Sequence, residues 1–175
     1  MLSKPSVFVL DVDGVLTTGE FFYTSDGKSM KIFGPDDNDA LSMLKDHIDI
    51  RFISGDKKGY PISKKRIVDD MGFQLDLVST IHRIQWISER YAPESVVYMG
   101  DGIFDHYVMS KVGYSIAPLN GDKNAKLKAS YVTERAGGDR AVAEACLHIL
   151  EKFFIPYDVN QLPTHQSSIG AQWAI

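Results

Sequence analysis

Two aspartates at the end of an apolar run are the first residues in the chain whose types and spacing suit chemistry. Asp11 and Asp13 follow the run at 7–10, and Gly14 after them permits a sharp turn around a ligand. An aspartate is ionised at neutral pH, so Asp11 can attack phosphorus without a base to activate it. Asp13 can protonate the leaving alkoxide and then deprotonate the water that hydrolyses the aspartyl phosphate. Taken alone, a strand followed by an acidic turn explains these residues equally well.

A divalent cation is the natural companion of this chemistry. A phosphate dianion repels a carboxylate nucleophile, whereas a bound cation neutralises that charge and holds the reacting oxygens in line. Mg²⁺ suits such a site because it takes oxygen ligands and keeps several of its waters. The sequence therefore predicts Mg²⁺ as the cofactor and a small-molecule phosphate ester as the substrate.

Three further polar groups each follow a predicted strand. Ser54 and Gly55 offer a hydroxyl and an amide to phosphate oxygens, and Arg83 offers a forked guanidinium able to bridge nucleophile and phosphate. Asp101 is suited to bind the metal and Asp105 to support it. Each group alone also has an ordinary explanation, as a turn residue, a surface charge or a loop. Their shared place after strands puts them at one edge of a sheet, which favours a single site.

The elements that must position these residues alternate along the chain. Apolar runs typical of strands buried on both faces lie at 6–12, 48–53, 74–78, 95–99, 114–117 and, more weakly, 130–133. Two apolar helical stripes consist of Ile81, Ile84, Ile87 and Tyr91, and of Val142, Cys146, Ile149 and Phe153. This alternation predicts an α/β Rossmann-like three-layer sandwich, with a mostly parallel sheet and helices on both faces.

Two segments depart from the alternation. Asp26-Gly27 is a strong turn signal, which predicts an inserted β-hairpin flap at about residues 20–33. An isolated hairpin is marginal in water, so we expect the domain body or other copies of the chain to cover its apolar side chains. These side chains are Phe21, Phe22, Tyr23, Met30, Ile32 and Phe33. Residues 156–175 lack periodicity and predict a C-terminal tail after a domain at 1–155, although Trp173 and Ile175 are unusual residues to leave in water.

Size and composition exclude several classes of protein. The chain of 175 residues, 44% hydrophobic and 24% charged, fits one compact globular domain. Its net charge of −4 argues against a general nucleic-acid binder. We expect no signal peptide and no membrane span, since no apolar run approaches the roughly 20 residues that a span requires. The single Cys146 excludes an internal disulfide, and we expect a cytoplasmic protein.

In motif order, the chain resembles the haloacid dehalogenase superfamily. The matching residues are Asp-x-Asp-Gly-Val at 11–15, Ser54, and Gly-Asp-x-x-x-Asp at 100–105. More closely, the chain resembles the small capless branch of this superfamily, through matches at 99–101, 108–109, 111–113, 131–133 and 136–138. That branch contains the 3-deoxy-D-manno-octulosonate 8-phosphate phosphatases and related sugar-acid phosphate phosphatases. The resemblance covers about residues 6–153.

The resemblance implies a role for each motif residue. Asp11 is expected to be the nucleophile and Asp13 the acid/base, with Mg²⁺ bound by Asp11, the Asp13 carbonyl and Asp101, and Asp105 completing the metal site. The residues expected to bind phosphate are Gly14, Val15, Ser54, Gly55 and Arg83. The resemblance also implies a homotetramer in which the hairpins of four chains pack together.

Several residues depart from the family pattern. Arg83 stands where a lysine is usual, which keeps the charge but replaces a point donor by a planar fork. Asp36 and Asp56 stand where arginines are common, and two such reversals near the site would repel a carboxylate. We therefore expect a substrate whose leaving group is neutral or amine-bearing, unless arginines elsewhere, such as Arg140, restore carboxylate binding.

Two other functions are compatible with parts of the sequence. The first is a catalytically weak or inactive relative that serves as an oligomerisation or regulatory module in a nucleotide-sugar pathway, resembling those attached to acylneuraminate cytidylyltransferases. Such a member should lack the nucleophile or the metal carboxylate, whereas Asp11, Asp13, Asp101 and Asp105 are all present. The second is a phosphoacceptor receiver domain, but Asp13 fits hydrolysis better than signalling.

Overall fold

A six-stranded sheet forms the centre of the protein, for which a computed structural model describes residues 4–161. The chain contains strands β1 (Val7–Asp11), β2 (Phe22–Thr24), β3 (Gly27–Met30), β4 (Asp49–Ser54), β5 (Gln74–Leu77), β6 (Val96–Met99), β7 (Tyr114–Ala117) and β8 (Tyr131–Val132). The central sheet has the order β5-β4-β1-β6-β7-β8, and every neighbouring pair in it is parallel. The predicted sheet is thus confirmed, and it is wholly rather than mostly parallel.

Helices cover both faces of this sheet. They are α1 (Asp37–Leu44), α2 (Tyr60–Lys64), α3 (Arg83–Ser88), α4 (Asp105–Met109), α5 (Lys123–Lys128) and α6 (Ala141–Phe153). A π-helical segment at Lys65–Asp70 continues α2, and 3₁₀ turns lie at Thr80–His82 and Pro93–Ser95. The predicted three-layer α/β sandwich is therefore confirmed.

The two helix layers enclose separate hydrophobic cores. Successive side chains of a strand point to opposite faces, so β1 divides its residues between the cores. Phe8 and Leu10 pack in the core that includes α1 and α6, whereas Val7 and Val9 pack in the core that includes α3, α4 and α5. Every residue of β1 is buried, which accounts for its uninterrupted apolar sequence before Asp11.

The two predicted helical stripes have different outcomes. Val142, Cys146 and Ile149 are buried along α6, as the second stripe predicts. The first stripe is only partly right, because α3 begins at Arg83 and Ile81 lies in the preceding 3₁₀ turn. Ile81 is consequently 65% exposed, while Ile87 is fully buried.

The predicted hairpin forms a separate two-stranded antiparallel sheet, β2–β3. Gly27 has a φ of 118°, a backbone conformation that favours glycine, at the turn between the strands. An antiparallel bridge between Thr17 and Phe33 ties the end of this segment to the loop after β1. Within the described residues, most of the hairpin's apolar side chains remain exposed, among them Phe21, Phe22, Tyr23, Met30 and Ile32.

The C-terminal end of the described chain contains no regular structure. Residues 156–161 form neither helix nor strand. The rest of the expected tail, with Trp173 and Ile175, lies outside the described residues. Among residues 4–161, none of the helices has the length and apolar character needed to cross a membrane.

Candidate active site

The residues that the sequence singles out meet at the carboxyl edge of the sheet. Asp11 is the last residue of β1 and Ser54 the last of β4. Arg83 and Asp105 are the first residues of α3 and α4, and Asp101 lies in the loop after β6. In a parallel sheet these strand ends share one edge, so residues far apart in sequence become neighbours.

Arg83 bridges two carboxylates with its forked guanidinium. Its Nη2 lies 2.7 Å from Asp11 Oδ2, and its Nη1 lies 2.7 Å from Asp105 Oδ1. The buried Tyr98 hydroxyl donates to the same Asp105 oxygen at 2.6 Å. Two separate donors of one planar group reach both acids, which a lysine ammonium could do only with a different geometry.

Asp11 is held in a fixed orientation before any substrate arrives. It is 5% exposed, and its Oδ1 accepts a hydrogen bond of 2.8 Å from the Val12 amide. Burial raises the pKa of Asp11 to about 6, although the charge of Arg83 opposes that rise. An ion pair and a backbone amide therefore hold both carboxylate oxygens of the expected nucleophile.

Three carboxylates crowd together at this edge. One oxygen each from Asp11, Asp101 and Asp105 can be chosen so that all lie within 4.8 Å of one another. Burial, together with the negative charges of Asp11 and Asp105, raises the pKa of Asp101 to about 8. Crowded carboxylate oxygens of this kind are the donors that a hard divalent cation prefers. The residues present thus fit Mg²⁺.

The roles within this trio differ. Asp105 Oδ1 already accepts from Arg83 and Tyr98, and its Oδ2 accepts from the Gly102 amide at 2.8 Å. Asp105 therefore has the bonding of a supporting carboxylate, which orients Arg83 and its own loop.

The turn after β1 lies directly against Asp101. Gly14 has a φ of 85°, and a Cβ at this position would lie 1.9 Å from Asp101 Oδ2. Thr17 Oγ1 accepts from the Gly14 amide at 3.3 Å, which stabilises the turn. The Val15 side chain is fully buried, so any contact of Val15 with phosphate must come from its backbone.

A second glycine segment, at 137–138, packs against the same turn. The Gly137 amide donates to Asn120 Oδ1 at 2.7 Å, and Asn120 Nδ2 donates to the Gly14 carbonyl at 3.3 Å. A Cβ on Gly137 would lie 1.9 Å from the Gly14 carbonyl oxygen. The Gly137-Gly138 pair is therefore glycine because two loops must touch there.

Asp13 belongs to a second group of side chains beside the trio. Its Oδ2 accepts from Ser54 Oγ at 3.3 Å, and its Oδ1 lies 2.7 Å from the Nζ of Lys31. The group of carboxylates described above does not include the Asp13 side chain. A metal-binding role for Asp13 is thereby left to its main-chain carbonyl, as the resemblance implies. Gly55, next to Ser54, is exposed at the same edge.

Sequence reasoning missed three residues of the site. Lys31 comes from the hairpin, Tyr98 from the middle of β6, and Asn120 from the loop after β7. The sequence pattern singles out none of the three. The one available signal was Tyr98, because a buried phenol needs a hydrogen-bond partner and strand β6 leads directly to Asp101.

Asp36 and Asp56, which the resemblance sets apart from the family pattern, are both paired with basic side chains. Asp56 contacts Lys28 and Lys31, and Asp36 contacts Arg140 on the surface. Burial alone would raise the pKa of Asp56, but hydrogen bonds from Lys28, the Gly59 amide and Lys31 lower it to about 2. The expectation of a substrate without a carboxylate rests on repulsion by Asp36 and Asp56. Because both aspartates are paired with cations, that repulsion is weakened.

Comparison with known proteins agrees with the fold. A family model described as haloacid dehalogenase-like hydrolase matches residues 62–145. Curated relatives align over a larger share of the chain, up to about four fifths of it. The chain belongs to the haloacid dehalogenase-like hydrolases.

Among its relatives is the 3-deoxy-D-manno-octulosonate 8-phosphate phosphatase of Salmonella typhi. It is 33% identical over 153 residues, which cover 80% of this chain and 76% of the relative. The cobalt-bound deoxy-D-mannose-octulosonate 8-phosphate phosphatase from Haemophilus influenzae has a similar structure, with a TM-score of 0.73 and 26% identity over 85% of this chain and 88% of that one. The Moraxella catarrhalis enzyme, solved with magnesium, phosphate and KDO, has a TM-score of 0.72 at 24% identity, covering 85% and 87%. The chain therefore falls among phosphoric monoester hydrolases of this family.

Proposed function

We propose that the protein is a Mg²⁺-dependent phosphatase that hydrolyses a small sugar phosphate or sugar-acid phosphate through an aspartyl phosphate on Asp11. The observation that carries this proposal is the placement of Asp11, which is fixed by Arg83 and lies in reach of Asp101. The names of the relatives supply the substrate class, since they act on 3-deoxy-D-manno-octulosonate 8-phosphate.

The first chemical step transfers the phosphoryl group to the protein. Asp11 Oδ attacks phosphorus, the new O–P bond forms as the ester O–P bond breaks, and Asp13 donates its proton to the departing alkoxide. In the second step Asp13 takes a proton from water, whose oxygen attacks phosphorus and displaces the Asp11 carboxylate. The products are an alcohol and inorganic phosphate, and both aspartates return to their starting forms.

The other residues of the site orient Asp11 and offset the negative charge of the phosphate. Bound Mg²⁺, which Asp11, the Asp13 carbonyl and Asp101 would hold, neutralises the phosphate dianion. Arg83 keeps Asp11 oriented and places positive charge beside the transferred group, with Asp105 and Tyr98 fixing Arg83. The Ser54 hydroxyl and the backbone amides of Gly14, Val15 and Gly55 are the groups assigned to the phosphate oxygens.

We further propose a cytoplasmic homo-oligomer, most simply a tetramer, built on one catalytic domain at 1–155. The exposed apolar hairpin is the support for this part of the proposal, because an apolar surface of this kind usually marks an interface. The exposed hairpin surface by itself is equally compatible with the alternative function, an inactive relative that serves as an oligomerisation module.

A panel of phosphorylated sugars and sugar acids, assayed for phosphate release with Mg²⁺ and with EDTA, tests the proposal. We expect Mg²⁺-dependent turnover of at least one member and its loss in EDTA. Turnover that persists in chelator would contradict the metal assignment. A folded protein that turns over no member would favour the non-enzymatic alternative.

A further inference from the structure

Lys31 is a buried hairpin lysine that contacts the acid/base residue of the proposed mechanism. Its side chain has no exposed surface, although it follows directly after the exposed strand β3. Burying an ammonium group costs several kcal/mol unless it is paired. A lysine in such a place therefore needs partners that compensate for the lost solvent.

The surroundings of Lys31 supply two carboxylates and a hydroxyl. An ammonium has three N–H donors, and three oxygens lie within reach of it. Lys31 donates a hydrogen bond to Ser63 Oγ at 2.9 Å, and it forms ion pairs with Asp13 Oδ1 at 2.7 Å and Asp56 Oδ2 at 3.0 Å. Lys31 thus connects the flap, the catalytic turn and the segment after β4 through one charged group.

Asp56 and Gly59 shape the place in which Lys31 lies. Asp56 Oδ1 accepts from the Gly59 amide at 3.0 Å, and its Oδ2 contacts both Lys28 and Lys31. A Cβ on Gly59 would lie 2.1 Å from Asp56 Oδ2 and 2.7 Å from Lys31 Cε. The backbone therefore closes around the lysine stem, so that Lys31 has little freedom to leave Asp13.

Ser54 provides the other contact of the Asp13 carboxylate, and it cannot serve two acceptors at once. The serine has one O–H donor, which points to Asp13 Oδ2 at 3.3 Å in this structure. When that hydroxyl donates to a phosphate oxygen, as the proposed mechanism requires, Asp13 loses this contact. Lys31 is then the side chain that still holds Asp13.

We propose that Lys31 is a positioning residue that orients Asp13 toward the leaving group, and that Asp56 keeps Lys31 in place. This inference rests on the proposed phosphatase function. In this arrangement Asp56 anchors the lysine rather than facing the substrate as a free charge.

Leaving-group dependence separates this role from a merely structural one. Acid catalysis by Asp13 matters for phenyl phosphate, a poor leaving group, and little for p-nitrophenyl phosphate, a good one. The kcat/KM values of both esters report the first step, so their ratio measures proton donation. In Lys31→Met we expect kcat/KM for phenyl phosphate to fall by about 10²-fold, and that for p-nitrophenyl phosphate far less.

Matched variants complete the experiment. Lys64→Met removes an exposed lysine of α2, the residue after Ser63, so its ester ratio should equal that of the wild type. Asp56→Asn and Ser63→Ala keep Lys31 but loosen it, and should shift the ratio in the direction of Lys31→Met, less strongly. Lys31→Arg, which keeps the charge, should recover part of the ratio.

An unchanged ester ratio in Lys31→Met, whether both kcat/KM values stay the same or fall equally, would overturn the positioning role. An unchanged ratio in both Asp56→Asn and Ser63→Ala would overturn the anchoring role. If the wild type hydrolyses neither ester with Mg²⁺, the proposed function itself fails, which is a different result. Should Lys31→Met fail to fold, Ser63→Ala and Asp56→Asn carry the same test.

Discussion

At the scale of single residues, two buried cationic side chains each contact two acidic side chains. Arg83 serves Asp11 and Asp105, and Lys31 serves Asp13 and Asp56. A buried charge is tolerated only when it is paired and hydrogen-bonded, so each cation fixes two acids at once. An arginine at position 83 suits this use, because its fork reaches two acceptors in one plane.

Replacing Arg83 tests this arrangement. Arg83→Met leaves Asp11 and Asp105 without their shared partner, and loss of one member of a buried pair typically costs about 3–5 kcal/mol. We expect a destabilisation of that order in chemical unfolding, together with loss of phosphatase activity. Arg51→Met, which removes a partly exposed pair with Asp49, should cost about 1 kcal/mol or less. Equal effects of the two substitutions would contradict the role given to Arg83.

The crowded carboxylates also predict how stability depends on pH and Mg²⁺. Burial raises the pKa of Asp11 to about 6 and of Asp101 to about 8, so the folded state binds more protons than the unfolded state above about pH 4. Without Mg²⁺, stability should therefore fall as pH rises from 4 to 8. Mg²⁺ favours the charged carboxylates, so it should raise the Tm more at pH 8 than at pH 5.

Differential scanning calorimetry at both pH values, with Mg²⁺ and with EDTA, measures this effect. Asp101→Asn should remove most of the Mg²⁺-dependent rise in Tm at pH 8. An equal rise in the wild type at pH 5 and pH 8, or a full rise in Asp101→Asn, would show that the cation binds elsewhere.

At the scale of elements, a buried aspartate joins the two helices on one face of the sheet. Asp37 begins α1, is 2% exposed, and accepts a hydrogen bond of 2.9 Å from the Ala143 amide in the first turn of α6. The first amides of a helix have no partner within it, so a carboxylate from a neighbouring helix can satisfy one of them. Burial raises the pKa of Asp37 to about 7.

Removing this contact should loosen the helix pair. Asp37→Ala leaves the Ala143 amide without its acceptor, which we expect to cost about 1–3 kcal/mol in urea unfolding. Asp37→Asn keeps an acceptor oxygen and should cost less. Asp39→Ala, two residues further along the exposed side of α1, serves as the control and should be nearly neutral. A neutral Asp37→Ala would contradict the contact's importance.

The sequence predicts the elements better than it predicts the contacts between their side chains. Strands are readable because they are buried on both faces, and the position of Asp11 or Asp101 follows from the strand that precedes it. Ile81 is placed wrongly because a 3₁₀ turn interrupts the helical period. Lys31 could not be found at all, since its role depends on how the hairpin folds back onto the catalytic turn, a non-local contact that no period encodes.

At the scale of the whole molecule, the hairpin exposes an apolar surface that the single chain does not cover. Phe22, Tyr23 and Met30 are 44%, 62% and 56% exposed on neighbouring strands. The contacts of Lys28, near the turn, and Lys31, directly after β3, with Asp56 hold the hairpin to the domain, so this apolar surface is presented in a fixed position. A surface of this kind favours association with further copies of the chain.

We expect the wild type to sediment as a homo-oligomer, most simply a tetramer, at micromolar concentration. Tyr23→Asp and Met30→Glu place charges on this surface and should dissociate or aggregate the protein. Leu127→Asp, on α5 and 71% exposed, is the matched control and should leave the sedimentation coefficient unchanged. A wild-type chain that sediments as a monomer would contradict the hairpin-centred assembly.

The central claim is that Asp11 forms the bond to phosphorus, and one comparison tests it most directly. Mg²⁺-dependent phosphate release from p-nitrophenyl phosphate is measured for the wild type, Asp11→Asn and the control Asp26→Asn in the exposed hairpin turn. Asparagine keeps the shape of Asp11 but is not a nucleophile, so we expect a loss of at least about 10³-fold with an unchanged circular dichroism spectrum. Asp26→Asn should match the wild type. Near-normal turnover in Asp11→Asn would contradict the mechanism.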